Sequence, residues 1–275
     1  MPTTKRDGAE IYYTIDDLTP PWRTEPETII FHHGIGTDHR IWSDWVPALA
    51  DAYRVVRIDV RGYGGSSARG PEADWSMDDL ISDVIAVADA VGADRFHMVG
   101  ESLGGTATYA TAIAHPERLL SITPICAGYE GAYIREVDHW RAEREATGMA
   151  TWSMQMMDHR FKPGAITHAQ WTWFEQLQIG TSPIVTVGLV EMLMGVKITD
   201  ALAGISMPTL ILHPDSSPFL PVEVPRGAHK IIAQSELHIF EAAKHGIAFS
   251  HARESALLVR NFIDRAAIDR NADAT

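Results

Sequence analysis

The serine at position 102 is the residue of this sequence best suited to nucleophilic chemistry. Residues 96–105 read FHMVGESLGG, so Ser102 stands in the pattern G-x-S-x-G between Gly100 and Gly104. This pattern is typical of a sharp turn from a strand into a helix, where small neighbours let the two elements cross closely. The turn exposes the hydroxyl, and the backbone N–H of Leu103 points to where an oxyanion would form. We therefore interpret Ser102 as a nucleophile.

A histidine must lie beside this serine, because a hydroxyl is a weak nucleophile at neutral pH and needs a general base. Among the 13 histidines, His245 is the best placed, since it follows the predicted strand 237–240 and precedes the last helix. His213, at the end of another predicted strand, is its main competitor. We predict that His245 is the base.

An acid is expected to fix the tautomer of the histidine and to stabilise its charged form. Asp215 directly follows the predicted strand 209–213 and gives the chain order serine, acid, histidine. Glu130, after the strand that ends at Cys126, is the alternative. We predict Asp215 as the acid and keep Glu130 open.

A second backbone donor is predicted in the sequence His33-Gly34-Ile35-Gly36, which follows an apolar run. The glycines let the chain turn so that the N–H of Ile35 faces the serine. Together with the N–H of Leu103, it would form an oxyanion hole. Removing one such donor typically costs ~10²–10³ in kcat.

The elements that must position these residues alternate along the chain. The predicted strands are 10–15, 28–32, 53–60, 95–99, 121–126, 209–213 and 237–240. Helical spacing is found around residues 42–49, after a capping Ser76, after Ser102, and over 222–233 and 253–268. Beyond Asp264 we expect a frayed, polar tail. This alternation predicts an α/β fold with a mostly parallel central sheet and helices on both faces.

A change of pattern after residue 128 predicts an inserted helical cap. Residues 129–200 contain no clear strand, so the predicted core comprises residues 1–128 and 201–275. An aromatic and methionine cluster in the cap favours an apolar substrate, although packing of the cap on the core would explain it equally well. The predicted substrate-binding residues are Trp140, Trp152, Met156 and Trp171. Four arginines could bind a substrate carboxylate or lie on the surface: Arg135, Arg141, Arg144 and Arg160.

Composition restricts the class of protein further. The chain has 275 residues and a net charge of −13 without a run of basic residues, which disfavours a nucleic-acid partner. Its single cysteine, Cys126, excludes an intrachain disulfide and suits a reducing compartment. The first residues lack the apolar core of a signal peptide, and the apolar stretch 179–196 is interrupted by polar residues. We expect a cytoplasmic protein without a membrane partner, and a homodimer stays open.

Four segments together resemble the α/β-hydrolase superfamily: His33-Gly34, the loop DVRGYGGS at 59–66, the serine turn at 100–104 and the loop of His245. The first hundred residues are most similar to 3-oxoadipate enol-lactonases and related small esterases. The resemblance implies a Ser-His-acid triad, no metal and no organic cofactor. The acid of the superfamily usually lies further past its strand, about where Ser217 falls.

The expected function is hydrolysis of a carboxylic ester or lactone of a small, largely apolar substrate. A serine at the nucleophile position is unlike the aspartate of dehalogenases and epoxide hydrolases. Glu101 is familiar from carboxylesterases, whereas carbon–carbon bond hydrolases commonly have asparagine there. Two alternatives remain: a ligand-binding protein on the same fold with slow or no turnover, and a cofactor-free perhydrolase or lyase with the same triad.

Overall fold

The computed structural model describes residues 2–6, 8–68, 75–135 and 137–273, without the side chains of 137–147, 269 and 271–273. The described residues form an eight-stranded sheet in the order β1-β2-β4-β3-β5-β6-β7-β8. β1 and β2 are antiparallel to each other, β2 is antiparallel to β4, and all later neighbours are parallel. The strands are Thr3–Arg6, Ala9–Asp16, Thr28–His32, Arg54–Ile58, Phe96–Glu101, Leu119–Ile125, Thr209–Pro214 and Ser235–Phe240.

The sheet is buried on both faces because its central strands are continuous apolar runs. Successive residues point to opposite sides of a strand, so Ile29 packs in one hydrophobic cluster and Ile30 in another. Val259 of the last helix lies on the side of Ile29, and Val84 lies on the side of Ile30. The predicted α/β-hydrolase fold, with helices on both faces of a mostly parallel sheet, is confirmed.

The α-helices of the described residues are short except for α2 to α6 and the last. In chain order, α1 to α9 are Val46–Leu49, Met77–Ala90, Leu103–Ala114, Val137–Arg160, His168–Ile179, Pro183–Met194, Glu223–Ile231, Ile247–Ser250 and Ala252–Asp273. Ser76 caps α2 as predicted, since its hydroxyl accepts a hydrogen bond from the N–H of Asp79 at 3.1 Å. The last helix, predicted over 253–268, continues to Asp273, so residues 265–273 are helical and not a frayed tail. Ala266 is buried, as its spacing suggested.

The region around Trp42 also differs from the predicted single helix. A 3₁₀ turn, His39–Trp42, is followed by the separate short helix α1, with Pro47 in its first turn. Proline has no N–H to continue a preceding helix, which explains the break. Trp42, Trp45 and Leu49 are nevertheless all buried, as their spacing suggested.

Between β6 and β7 the described residues form α4, α5 and α6, together with an isolated bridge between Glu130 and Lys197. Gly148 interrupts α4 with a φ of 83°. The predicted boundaries of a cap at residues 129 and 200 stay a prediction. Within the described chain, no single helix has the length and apolarity to cross a membrane; the bent pair α5 and α6 passes by length and composition together.

Candidate active site

Ser102 lies on a strained turn between β5 and α3. Its φ of 56° and ψ of −114° place it in a region that costs a non-glycine residue about 1–3 kcal/mol. An added Cβ at Gly100 would overlap the carbonyl of Gly104, and one at Gly104 would overlap the carbonyl of His32. The two glycines are therefore required for the close crossing of strand and helix. The N–H of Ser102 is held by the carbonyl of Ile125 at 2.9 Å.

The loop after β3 lies directly on this turn. An added Cβ at Gly34 would overlap Oε2 of Glu101 and lie 3.0 Å from Cβ of Ser102. Only a glycine permits this approach. We call residues 33–36 the oxyanion loop, after the role predicted for Ile35.

Hydrogen bonds fix the direction of the peptide between Gly34 and Ile35. The N–H of Val60 donates to Nε2 of His33 at 2.9 Å, so the proton of this imidazole lies on Nδ1 and is donated to the carbonyl of Gly34 at 2.8 Å. Thr37 donates to the same carbonyl at 3.0 Å. In a trans peptide the N–H of Ile35 points the opposite way. Neither this N–H nor that of Leu103 has an acceptor among the described residues.

A cavity of about 900 Å³, its open mouth included, brings the candidate residues together. Ser102, His245 and Ile35 all line it, as do the predicted substrate-binding residues Trp152 and Met156. Its other walls are mostly apolar and include Ile134, Val187, Val190, Leu193, Met194, Phe219 and Leu220.

Two other predicted substrate-binding residues have a different outcome. Trp171 does not line the cavity; its ring packs 6.4 Å from that of Phe161 in the core, which corrects the expectation. The reason is that α5 places Trp171 beside the aromatic cluster of Phe161 and Phe174, which belongs to the core. The side chain of Trp140 lies outside the described residues.

Arg160, at the end of α4, is the only one of the four arginines whose described side chain lines the cavity. It is buried, and Nη2 donates to the carbonyl of Ile35 at 2.8 Å while Nε donates to Gln178 at 3.1 Å. Nη1 lies 3.5 Å from Oε1 of Glu101. Arg160 is therefore neither a surface residue nor a free cation. Arg135 is exposed, and the side chains of Arg141 and Arg144 lie outside the described residues.

Nδ1 of His245 faces a hydroxyl and not a carboxylate. Oγ of Ser217 lies 3.0 Å from Nδ1, and the same Oγ accepts the N–H of Leu220 at 3.3 Å. The ring edge of His245 packs on Phe219, with 4.6 Å between ring centroids. Sequence reasoning noted the position of Ser217 but assigned it no role; its spacing after the strand was the available signal.

The predicted acid, Asp215, makes no hydrogen bond to His245, and this corrects the expectation. Its carboxylate is exposed and accepts the N–H of Ala242 at 2.7 Å, the N–H of Ala243 at 3.2 Å and the hydroxyl of Ser216 at 2.7 Å. The physical reason is that Asp215 directly continues β7, with its own N–H on the carbonyl of Phe240, so its side chain closes the loop after β8.

The alternative acid, Glu130, is also engaged elsewhere. Its Oε1 accepts the hydroxyl of Thr199, and its backbone forms the bridge to Lys197. Neither carboxylate considered from the sequence thus lies in hydrogen-bond contact with His245.

Comparison with known proteins identifies the family and the fold. Residues 27–157 match the family model of the alpha/beta hydrolase fold. The crystal structure of the enol-lactonase from Burkholderia xenovorans superimposes with a TM-score of 0.86 and 21% identity, covering 96% of this chain and 100% of that one. The chain belongs to the α/β-hydrolase superfamily.

Two curated relatives illustrate the range of similarity to this α/β-hydrolase. 3-Oxoadipate enol-lactonase 1 of Acinetobacter baylyi is 35% identical over 43% of this chain and 42% of its own length. The 2-hydroxymuconate semialdehyde hydrolase of a Pseudomonas species is 24% identical over 85% of this chain and 86% of its own length. Three other curated relatives match over only 34–35% of their own length.

Electrostatics in this α/β-hydrolase keep the imidazole of His245 neutral. Burial, followed by the positive charge of Arg160 and then by His213 and His159, lowers the pKa of His245 well below its ordinary value. A neutral imidazole can accept a proton at Nε2 when Nδ1 carries the hydrogen. Oγ of Ser102 makes no hydrogen bond to the imidazole of His245 in this structure. The distance between nucleophile and base is often long in the absence of substrate.

Glu101 is buried beneath the oxyanion loop of the α/β-hydrolase. Neither carboxylate oxygen has a hydrogen-bond partner among the described residues. Burial raises the pKa of Glu101, and the guanidinium of Arg160 opposes that shift. The pair places an ionisable network behind Ser102, and it links the oxyanion loop to α4.

A cluster of Asp38, His39 and Asp59 has the spacing of metal ligands, since its donor atoms lie within 4.8 Å of one another. These groups already hold the loop 59–66: Asp59 accepts the N–H of His39 at 2.7 Å and the N–H of Gly65 at 2.8 Å. Asp38 binds the guanidinium of Arg40 at 2.6 Å. The donors are therefore used in positioning the loops.

Proposed function

We propose that this protein is a serine hydrolase that cleaves a carboxylic ester or lactone of a small, largely apolar substrate. The observation that carries the proposal is the strained Ser102, which shares an apolar cavity with His245 and Ile35. The N–H groups of Ile35 and Leu103 have no acceptor among the described residues. Acyl transfer needs these three parts: a nucleophile, a base and donors for the oxyanion. An enol-lactonase among the relatives supports the same reaction class.

In the acylation step, Oγ of Ser102 attacks the acyl carbon and its proton passes to Nε2 of His245. The N–H groups of Ile35 and Leu103 donate to the oxyanion of the tetrahedral intermediate. When the acyl C–O bond breaks, the leaving alkoxide takes the proton back from Nε2. The products of this step are an alcohol and an ester on Ser102.

In the deacylation step, a water molecule gives a proton to Nε2 of His245 and attacks the acyl carbon of the ester. The second tetrahedral intermediate uses the same two donors. Its collapse breaks the bond to Oγ, which recovers the proton from Nε2 and leaves a carboxylic acid. A lactone follows the same steps and yields one hydroxy acid.

The cavity walls support an apolar substrate. Trp152, Met156 and Phe219 form a small cluster on one side, and Val187, Val190 and Leu193 stand on the other. The charged group in the wall, Arg160, is occupied by Ile35, Glu101 and Gln178, which disfavours a substrate carboxylate at that point. We propose that α4 to α6 act as a cap that selects the acyl or alcohol moiety.

A second candidate is a ligand-binding protein with slow turnover on the same cavity. The observation that favours it is that Nδ1 of His245 contacts a hydroxyl, and no carboxylate of the described residues. In enzymes with a Ser-His-Asp triad, replacing the aspartate lowers kcat about 10⁴-fold.

The test combines a fluorophosphonate probe with a panel of p-nitrophenyl esters, from acetate to octanoate, and of lactones. We expect the probe to label Ser102. We expect Ser102→Ala to lose at least about 10² in kcat. This is the loss caused by removing the serine of a full triad, divided by the loss caused by removing its acid, since no carboxylate of the described residues contacts His245. Ser216→Ala, an exposed serine, is the matched control and should retain parental labelling and turnover.

Each outcome separates the candidates. Labelling with measurable turnover supports the hydrolase, whereas labelling without turnover supports the slow binder. A folded protein that the probe does not label, or a Ser102→Ala variant as fast as the parent, contradicts the hydrolase mechanism.

A further inference from the structure

We propose that Ser217 is the positioning residue of His245, so that the base of this site works with a hydroxyl behind it and without a carboxylate. The proposal rests on the proposed function of Ser102 and His245. This arrangement differs from the expected Ser-His-acid triad, because a serine three residues beyond the end of β7 occupies the position of the acid.

The contact geometry supports this assignment. Oγ of Ser217 lies 3.0 Å from Nδ1 of His245, within hydrogen-bond distance for either direction of donation. The N–H of Leu220 donates to the same oxygen at 3.3 Å and keeps the hydroxyl in place. Among the described residues, Ser217 is the hydrogen-bond partner of the imidazole nitrogens.

Among the described residues, the groups that face the ring supply no negative charge. His159 and Arg160 of α4 and His213 of β7 face it, and each disfavours the imidazolium. Cys126 of the loop after β6 donates its thiol to the carbonyl of His245 at 3.1 Å and so touches the backbone.

Asp215, Glu130 and Glu101 are all used by other groups. Asp215 binds the amides of Ala242 and Ala243, Glu130 accepts from Thr199, and Glu101 pairs with Arg160.

A hydroxyl behind the ring has a chemical consequence that a carboxylate does not. A carboxylate only accepts, so it forces the hydrogen onto Nδ1 and leaves Nε2 free to take the proton of Ser102. A hydroxyl can accept from Nδ1 or donate to it. When it donates, the hydrogen lies on Nε2 and the ring cannot act as a base toward Ser102.

No carboxylate of the described residues faces the imidazolium that would form during acylation. Both effects slow the chemical step while leaving the cavity and the oxyanion donors intact. Ser217 therefore sets the fraction of His245 in the productive tautomer, and an aspartate at this position should accelerate the reaction.

The experiment compares the parent with Ser217→Asp, Ser217→Thr and Ser217→Ala, and measures kcat/KM on p-nitrophenyl esters over a range of pH. We expect Ser217→Asp to raise kcat/KM at least tenfold, against a ceiling of about 10⁴. Ser217→Thr keeps the hydroxyl and should stay within about threefold of the parent. Ser217→Ala should lose about three- to tenfold, the value of one hydrogen bond.

Nitrogen-15 NMR of the imidazole in the same full-length variants reads the mechanism directly. Ser217→Asp should shift His245 toward the tautomer with hydrogen on Nδ1 and raise its titration midpoint, while Ser217→Thr should preserve the parental signal. The matched control is Ser216→Asp, which adds the same charge at an exposed neighbour and should change neither the signal nor kcat/KM.

Two results overturn the proposal: a Ser217→Ala variant with parental tautomer and rate, or a folded Ser217→Asp variant in which the titration of His245 does not move. If Ser217→Asp fails to fold by circular dichroism, the comparison of Ser217→Thr with Ser217→Ala decides. Failure of the hydrolase function is a different result, since it appears as an unlabelled Ser102 while the NMR comparison still reports on Ser217.

Discussion

Nη2 of Arg160 donates a hydrogen bond of 2.8 Å to the carbonyl oxygen of Ile35. The bond joins α4 to the loop after β3, which contains the proposed oxyanion donor Ile35. The same guanidinium lies 3.5 Å from the buried carboxylate of Glu101. One side chain thus holds the oxyanion loop and balances the charge of a buried carboxylate next to Ser102, and the two roles can be separated by mutation.

Removing the guanidinium should destabilise the protein and slow acyl transfer. Arg160→Met leaves Glu101 buried without its cation, and breaking such a pair costs about 3–5 kcal/mol of unfolding free energy. It also frees the carbonyl of Ile35, so we expect kcat to fall by ~10²–10³, the value of one oxyanion donor. Urea unfolding and p-nitrophenyl ester hydrolysis measure the two effects.

A double variant separates charge from position. Glu101→Gln combined with Arg160→Met removes both charges and should recover most of the lost stability, because no unpaired ion remains buried. We expect kcat to stay low, since the anchor of Ile35 is still missing. Full recovery of kcat in the double variant would show that Arg160 acts through its charge alone.

Gly34 should be intolerant of a side chain. The Cβ of Gly34→Ala would overlap Oε2 of Glu101 and lie 3.0 Å from Cβ of Ser102, so the oxyanion loop must move away from the serine. We expect kcat to fall by ~10²–10³ through loss of the Ile35 donor. The matched control is Gly204→Ala, where an added Cβ has no neighbour within 4 Å. Equal rates for both variants would contradict this role of the loop.

Asp215 should be dispensable for the chemical step. Asp215→Asn retains one oxygen to accept an N–H of Ala242 or Ala243, and it does not touch the imidazole. We expect kcat within about threefold of the parent, in contrast to the loss of about 10⁴ expected for the acid of a triad. Steady-state kinetics on the ester panel decides, and a loss of a thousandfold or more in the folded variant would reinstate Asp215.

Stability should fall as the pH drops below 6.5, because buried histidines stay neutral in the folded protein. Burial lowers the pKa of His32 to about 3 and that of His213 to about 4. Between these values and 6.5 the unfolded chain binds more protons, so acid favours unfolding. Because pH 5 lies 1.5 units below the ordinary histidine pKa of 6.5, the two neutral histidines together lower the free energy of unfolding by about 4 kcal/mol at that pH.

Urea unfolding at pH 7, 6 and 5 measures this loss. His213→Gln keeps a donor for the carbonyl of Leu220, which Nε2 of His213 now contacts at 3.1 Å, and removes one titrating group. The variant should show a shallower dependence of stability on pH than the parent. A parent whose unfolding free energy is the same at pH 7 and pH 5 contradicts the buried neutral state of these histidines.

Local sequence determined the parts of the site that depend on neighbours in the chain. The glycines around Ser102, the glycine of the oxyanion loop and the apolar strand runs prescribe backbone shape, and backbone shape follows from residue type at that position. Thr28–His32 and the helix capped by Ser76 were predicted from the sequence and are found in the structure. The edge strand β1 was missed because four mostly exposed polar and charged residues carry no apolar pattern.

Tertiary structure alone decided which side chains face His245. Asp215 and Ser217 are two residues apart in one loop, and spacing along the chain does not fix which of them turns toward the imidazole. The orientation of each side chain follows from contacts with distant segments. Asp215 accepts from the N–H groups of Ala242 and Ala243, whereas Ser217 contacts Nδ1 of His245. The burial of Arg160 beside Ile35 likewise depends on how α4 packs, which its own sequence does not specify.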